Sequence, residues 1–393
     1  MSSDSIVIVS GARTPMGGFQ GDLTGSTAPQ LGATAIKAAV ERAGVNAEEI
    51  DEVIMGCILT AGIGQGPARQ AMRNAGIPDS TGAVTINKLC GSGLKAVMQA
   101  HDSIKAGSAE IIVAGGMESM TNAPYIMPQA RAGYRMGHKE AKDHMFLDGL
   151  EDADTGKLMG QFAQEMADEK GYTREQMDDF AIESLNRALT AINEGHFKDE
   201  ITPVTVKTRK GEVVIDTDEQ PAKANADRIP TLRPAFAKEG TITAANASSI
   251  SDGAAAVVVT SEKVANDKGF NIEARIVATA TNSLHPSKFT IAPIGSMEKV
   301  LEKAGWSVED VDLWEINEAF AMVTMAAMDE MNIPHEKVNV EGGACALGHP
   351  VGCSGARILV TLINSLKRTG GKKGVASLCI GGGEAVAVAI ELP

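Results

Sequence analysis

Two thiols, one histidine and one amide in this chain sit where strands run out, and their types suit nucleophilic catalysis. Cys90 lies in Asn87-Lys88-Leu89-Cys90-Gly91-Ser92-Gly93, between a strand-like run, Ala83–Ile86, and a helical pattern from Leu94 to Lys105. A strand-to-helix turn kept open by two glycines puts the thiol beside the unpaired N–H groups of a helix start. The dipole there favours negative charge and lowers a thiol's pKa from about 8.5. A thiolate so placed is a nucleophile, and it needs a base. His349, in Gly342-Gly-Ala-Cys-Ala-Leu-Gly348-His349-Pro350, is the best placed of the seven histidines. Cys379 opens Cys379-Ile-Gly-Gly-Gly383, a second thiol beside backbone N–H groups free to face an oxyanion. Asn317 begins Asn-Glu-Ala-Phe-Ala directly after the strand Leu313–Ile316, and Asn246–Gly253 is a polar loop entering a strand. Singly, each has a plainer reading: a cysteine is more often a small core residue, and a glycine triplet is often only a turn.

The elements around these residues alternate. Strands at Ile6–Ser10, Glu52–Cys57, Ala83–Asn87 and Glu110–Gly115 are interleaved with helices at Ala28–Arg42, Gly66–Asn74 and Ser92–Lys105. That pattern implies a buried, mostly parallel sheet covered on both faces. From about 121 to 249 the chain turns irregular and richer in Met and charge. Thr173 and Gln176 form a capping box for a helix that runs to Glu194 and stops at Gly195, and Pro203–Asp216 reads as a hairpin around Lys210-Gly211. A segment this long between sheet elements is an inserted subdomain rather than a loop. The sheet pattern resumes at Ala254–Thr260, and from about 270 the first pattern returns. Glu41–Asp51 matches Glu302–Asp312, with cap pairs Asn46/Glu49 and Ser307/Asp310. Ser92-Gly93 recurs as Ser354-Gly355, and Val113-Ala-Gly-Gly as Leu378-Cys-Ile-Gly-Gly-Gly. Three matches at one offset mean two copies of one α/β unit, with the site expected where strand ends of the halves meet.

The chain has 393 residues, 44% hydrophobic, and a net charge of −14 without a basic cluster, so nucleic acid and anionic membrane are not expected partners. No apolar run approaches a membrane span. The five cysteines include no Cys-x-x-Cys and the histidines show no ligand spacing, so neither a disulfide framework nor a metal is expected. A strand beginning at Ile6 leaves no room for a signal peptide, which points to the cytoplasm. A nucleotide loop at Ala114-Gly115-Gly116 lacks the Gly-x-Gly-x-x-Gly spacing.

Together, the Cys90 segment, Asn317-Glu-Ala-Phe-Ala, Gly348-His349-Pro350-x-Gly-x-Ser-Gly and Cys379-Ile-Gly-Gly-Gly resemble the thiolases. The nearest branch is that of the acetyl-CoA acetyltransferases and the broader 3-ketoacyl-CoA thiolases. Ala12-Arg13-Thr14-Pro15 and Leu232-Arg-Pro-Ala-Phe236 are similar to the same family, so the resemblance spans the chain. It implies a duplicated α/β/α/β/α five-layer core with an inserted loop domain. The N-terminal domain would be 1–268 (core 1–120 and 250–268, coenzyme A-binding loop domain 121–249) and the C-terminal domain 269–393. It also implies a homotetramer built from tight dimers, acting on acyl-CoA substrates by reversible acetyl transfer through an acetyl-Cys90 intermediate. His349 would be the base for Cys90 and Cys379 the second acid/base. His349, with a water held by Asn317, would form one oxyanion hole, and the N–H groups of Cys90 and Gly381 the other. Ser248 would hold the pantetheine, with Phe236 and Phe320 lining its path and Met159 at the substrate. Coenzyme A is a substrate, so no resident cofactor is implied. The sequence departs from the acetoacetyl-specific pattern at Leu158-Met159-Gly160, around Phe289 and at Pro221, where Lys223 or Arg228 could replace a phosphate-binding cation. The alternatives are a broader-chain 3-ketoacyl-CoA thiolase, a ketoacyl synthase or hydroxymethylglutaryl-CoA synthase type of condensing enzyme, and a non-catalytic acyl-CoA-binding relative. The decarboxylative synthases carry a histidine where this chain has Cys379.

Overall fold

The computed structural model describes residues 4–209 and 211–393. Apolar runs such as Ile6-Val7-Ile8-Val9 are buried on both faces, which fits strands at the centre of a sheet rather than at its rim. The strands are β1 Ile6–Arg13, β2 Glu52–Gly56, β3 Gly82–Ile86, β4 Ile111–Ser119, β5 Ser251–Ser261, β6 Ala274–Ser283, β7 Leu313–Ile316, β8 Lys373–Ile380 and β9 Glu384–Glu391. They form one hydrogen-bonded path in the order β7-β8-β9-β6-β1-β5-β4-β2-β3, and Gly17–Gly18 adds a short pairing to β5.

The path divides into two halves of the same topology. In the first, β2 pairs in parallel with β3 and β4, β4 runs antiparallel to β5, and β5 antiparallel to β1. In the second, β7 pairs in parallel with β8 and, through the single bridge Trp314 to Val338, with a fifth segment. There β8 runs antiparallel to β9 and β9 antiparallel to β6. Even the irregularities coincide, with register shifts between Ile8 and Ser10 in one copy and between Ile276 and Ala278 in the other. The halves join where Ile6–Ile8 pair antiparallel with Ala274–Ile276.

A mostly parallel sheet is therefore not what forms; antiparallel pairings predominate. The reason is connectivity. A parallel neighbour needs a crossover helix, and only β2, β3 and β4 in the first half and β7 and β8 in the second are linked that way. The turn Gly381–Gly383 returns β8 directly into β9, and β5 enters from the insertion.

The helices complete the layers. They are α1 Ala28–Ala43, α2 Pro67–Asn74, α3 Ser92–Lys105, α4 Met159–Lys170, α5 Arg174–Glu194, α6 Ala292–Ala304, α7 Ala321–Met331 and α8 Ser354–Thr369. α1 starts on Thr27, whose hydroxyl accepts the Gln30 N–H in a capping box, and ends on Gly44 in the left-handed region. Residues 47–49 form only a 3-10 turn, and Asn46 makes no side-chain cap bond there. The middle layer is α3 and α8, whose Leu94, Val97, Ile358 and Leu362 share one core with inward-facing residues of both half-sheets. α1 and α2 cover the outer face of the first half, α6 and α7 that of the second. The two central helices touch at their repeated glycines. A Cβ on Gly93 would lie 2.8 Å from the Ala356 nitrogen, and one on Gly355 2.4 Å from that of Leu94.

The chain between β4 and β5 contributes α4, α5 and a hairpin of Val204–Thr208 with Gly211–Ile215; Lys210, expected at its turn, lies outside the described residues. Buried Arg13 fastens this segment to β1. Its Nε donates to Glu200 at 2.5 Å, and its fork donates to both oxygens of Asp218 at 2.7 and 2.9 Å. The Ala12–Pro15 motif thus acts as an anchor. Against α4 and α7, a cluster including Phe162, Phe289, Phe320, Met322 and Cys379 closes the space beneath the strand ends.

Candidate active site

Cys90 follows β3 on a turn whose preceding residue, Leu89, adopts φ +46°, a left-handed conformation that costs a side-chain-bearing residue about 1–2 kcal/mol. The Leu89 N–H donates to Asn87 Oδ1 at 3.0 Å, and Ser92 Oγ accepts the Lys88 N–H at 2.8 Å while donating to Leu89 O at 2.7 Å. These bonds hold the turn. Gly91 packs closely, and a Cβ there would meet Ile380 Cδ1 at 2.3 Å and push that side chain aside.

Cys90, His349, Cys379 and Gly381 converge on the wall of one cavity of about 360 Å³. Ser248, Phe236, Phe320 and Met159 lie on the same wall, which is otherwise mainly apolar and includes Leu150, Leu158 and Phe289. The Phe320 ring packs edge-on to Phe236 at 6.1 Å and to Phe289 at 6.4 Å. Gly160 makes room for this, since a Cβ there would lie 2.2 Å from Phe236 Cζ. Ser248 Oγ donates to Ala319 O at 3.0 Å. Asn317 lies behind the wall, its Nδ2 3.5 Å from His349 Nδ1 and its Oδ1 buried without a partner.

The helix start does not lower the Cys90 thiol. Burial pushes it up to about 11, and the N–H groups of Gly381 and of Cys90 itself, both bearing on the sulfur, only partly offset this. α3 begins at Ser92, two residues past the thiol. His349 moves the other way, down to about 4, through burial and the nearby Arg357 charge. At neutral pH both groups are uncharged, and the histidine has a free lone pair. Cys379, buried at the end of β8, is held well above the usual thiol range by burial and by Cys90.

The histidine loop is fixed on several sides. The His349 N–H donates to Ser249 O and to Ser251 Oγ, each at 3.2 Å. Gly348, at φ +99°, would bring a Cβ within 2.1 Å of Ser251 Oγ. His349 Nδ1 lies 2.5 Å from Ser354 Oγ, whereas Nε2 has no partner.

Three buried acids brace the site, of which only Glu318 falls within one of the motifs, and without a role read there. Glu118 of β4 accepts the N–H groups of Ile58, Leu59 and Gly352 at 3.0–3.1 Å, tying the first copy to the loop after His349, and burial pushes its carboxyl up to about 7. A charge at the end of the otherwise uncharged strand Ile111–Ser119 was the available signal. Glu318 accepts from Ser184 Oγ, Asn339 Nδ2 and the Cys345 N–H at 2.7–3.0 Å, which anchors the residue next to Asn317. Glu315 faces Arg357 at 3.4 Å. All five cysteines are free thiols, and among the described residues no group of three side chains could hold a metal ion. No helix among them is long and apolar enough to cross a membrane.

A second concavity of about 350 Å³ adjoins the first and shares Ala244 and Ser249 with it. Lys223, Arg228, Leu232 and Cys345 line it. Lys223 is ion-paired with Glu219, while Arg228 lines the opening.

Residues 6–263 match the family model "Thiolase, N-terminal domain" and residues 270–392 "Thiolase, C-terminal domain". The chain is 51% identical to an acetyl-CoA acetyltransferase of Cupriavidus necator, covering 98% of this chain and 99% of the relative. It is 49% identical to one of Pseudomonas aeruginosa, covering 98% of each. The crystal structure of the Bacillus anthracis acetyl-CoA acetyltransferase superposes with a TM-score of 0.97 at 43% identity, covering 99% of both chains. With the duplicated topology and the shared cavity of Cys90, His349 and Cys379, these matches identify the chain as a member of the thiolase family.

Proposed function

We propose that the protein is an acetyl-CoA C-acetyltransferase that cleaves and forms acetoacetyl-CoA by ping-pong transfer through acetyl-Cys90. The observation that carries this reading is that two thiols and an unpartnered imidazole nitrogen face one apolar cavity. In thiolysis, Cys90 Sγ attacks the ketone carbon as His349 Nε2 takes its proton. The C–C bond breaks, and the leaving enolate takes the Cys379 proton, which a thiol held above its usual range still carries at neutral pH. The thiol of the second coenzyme A gives its proton to Cys379 and attacks acetyl-Cys90. Acetyl-CoA departs and Cys90 recovers its proton from His349.

Each half-reaction passes through an oxyanion, and removing one donor from such a hole typically costs about 10²–10³ in rate. The N–H groups of Cys90 and Gly381 serve the acyl-enzyme, and protonated His349 with an Asn317-held water serves the thioester enolate. Ser248, Phe236 and Phe320 receive the pantetheine, Met159 borders the acyl end, and Arg228 with Lys223 meets the nucleotide phosphates. In this reading residues 121–249 are the coenzyme A-binding loop domain between core segments 1–120 and 250–268, with the second domain at 269–393. The family resemblance extends the proposal to a cytoplasmic homotetramer, which light scattering after size exclusion tests.

The deciding experiment is thiolysis of acetoacetyl-CoA beside a medium-chain 3-ketoacyl-CoA, each with coenzyme A. Activity confined to acetoacetyl-CoA supports the proposal. Comparable rates on both would make it a broader-chain thiolase, and no activity on either would overturn the chemistry.

A further inference from the structure

We propose that Ser354 is a positioning residue that sets the tautomer of His349, holding Nδ1 as N–H so that Nε2 keeps its lone pair toward Cys90. This rests on His349 being the base for Cys90. The hydroxyl of Ser354 has one proton and two close partners: Pro350 O at 3.0 Å and His349 Nδ1 at 2.5 Å. As Ser92 does in the first copy, the Ser354 hydroxyl donates back to a carbonyl, here Pro350 O, which also takes the Cys353 and Ser354 N–H groups; the bond to the imidazole is then Nδ1–H donating to Ser354 Oγ. Asn317 Nδ2, also a donor and 3.5 Å from the same nitrogen, is too long a contact to compete. Nε2, buried without any protein partner on a histidine that lines the cavity, is left with the lone pair.

The duplicated architecture is the basis for this polarity. Ser92 occupies the equivalent place in the first copy, at the start of the other central helix. Its hydroxyl donates to the Leu89 carbonyl and accepts the Lys88 N–H, a donor whose direction is not in question. The same hydroxyl in the second copy again donates to a carbonyl of the preceding turn, and the acceptor side that takes a backbone N–H in the first copy faces an imidazole. One structural serine has thus been redeployed: it fastens the backbone beside Cys90 in one half, and it orients the base in the other. The turn before it is tied down by other bonds, notably Gly352 N–H to Glu118, so the turn does not depend on this hydroxyl alone.

The test uses the full chain carrying Ser354→Ala or Ser354→Thr. It reads kcat and KM for acetoacetyl-CoA thiolysis and the rate at which iodoacetamide alkylates Cys90, mapped by mass spectrometry. Ser354→Ala is expected to lower kcat and Cys90 alkylation together by about tenfold to a hundredfold, with KM for coenzyme A unchanged. Ser354→Thr, which keeps the hydroxyl, should restore both to within about threefold. Wild-type rates in Ser354→Ala overturn the proposal, as does a loss that Thr fails to rescue. His349→Ala separates the two levels. If it leaves Cys90 alkylation unchanged, the base assignment itself fails; if it slows alkylation and Ser354→Ala does not, only the role of Ser354 fails. Nitrogen NMR of isotopically labelled histidine in the wild-type chain gives an answer that needs no Ser354 variant. The His349 signal, assigned by its loss in His349→Gln, should show Nδ1–H, and an Nε2–H tautomer refutes the proposal.

Discussion

Removing the His349 side chain should make the rate depend on pH in a way that reveals what the imidazole does. With Cys90 held at about 11, the fraction present as thiolate at about pH 8 is about 10⁻³. In the intact site this scarcity does not limit the reaction, because His349, pushed down to about 4, is a neutral acceptor from about pH 5 upward and takes the proton as the sulfur attacks. His349→Ala leaves only the standing thiolate. The lost base should then cost about 10³ at about pH 8 and the rate should climb about tenfold per pH unit, recovering about a hundredfold by about pH 10, on top of a pH-independent loss from the missing enolate donor. The sign follows from the thiol: a raised pKa means less thiolate at any lower pH, so the variant gains with alkali while the wild type stays level. The assay is single-turnover release of acetyl-CoA from acetoacetyl-CoA, run from about pH 6 to 10, with circular dichroism to establish that the variant is folded. A deficit of the same size at pH 7 and pH 10 would refute the reasoning, since it would mean that His349 assists by some route other than taking the Cys90 proton.

Other perturbations separate the remaining parts. Cys379→Ser should still acylate Cys90 and exchange coenzyme A, yet lose C–C cleavage by at least about 10²-fold, measured by isotope exchange beside thiolysis; full turnover would remove Cys379 from the mechanism. Arg228→Ala should raise KM for coenzyme A several-fold and leave the rate with a pantetheine thioester that lacks the nucleotide untouched, which steady-state kinetics on both substrates will show. Arg13→Met leaves Glu200 and Asp218 buried without their cation, so urea unfolding should report a loss of about 3–5 kcal/mol, and a loss below about 1 kcal/mol would mean the acids are compensated elsewhere.

Much of this was readable from residue order. Local signals located the Ser92–Lys105 helix to the residue, α1 to within one residue, and the strand-end positions of Cys90, Asn317 and Cys379, because caps and periodicity are short-range. The internal repeats, Ser-Gly at 92 and 354 among them, pointed to a site at the junction of the halves, whereas the contact between the central helices at those glycines emerged only in the fold. Strand direction was not readable, since it follows from whether a crossover helix intervenes, and the insertion hides the β4-to-β5 connection. The contributions of Glu118 and Glu318 were also hidden. Each joins residues far apart in the chain, such as Glu118 to Gly352, and no pattern of spacing records a carboxylate that binds distant backbone. The thiol's proton affinity went astray for a related reason: the helix start is local, but the burial around Cys90 is supplied by residues distant in sequence, such as Ile58, Met145, Val351 and Ile380.

The seam where β1 meets β5 and β6 carries a consequence for biosynthesis. Ile6-Val7-Ile8-Val9 emerges from the ribosome long before its neighbours in the finished sheet, Val259–Ser261 and Ala274–Ile276, which are translated about 250 residues later. At about 5–20 residues per second, the nascent strand waits on the order of 10–50 s without either partner. During that interval it is an uncharged β-forming segment with both edges open, the kind of sequence that chaperones shield and that crowded ribosomes bring together. Overproduction at high temperature should therefore lose yield at synthesis, before the stability of the completed fold has any bearing.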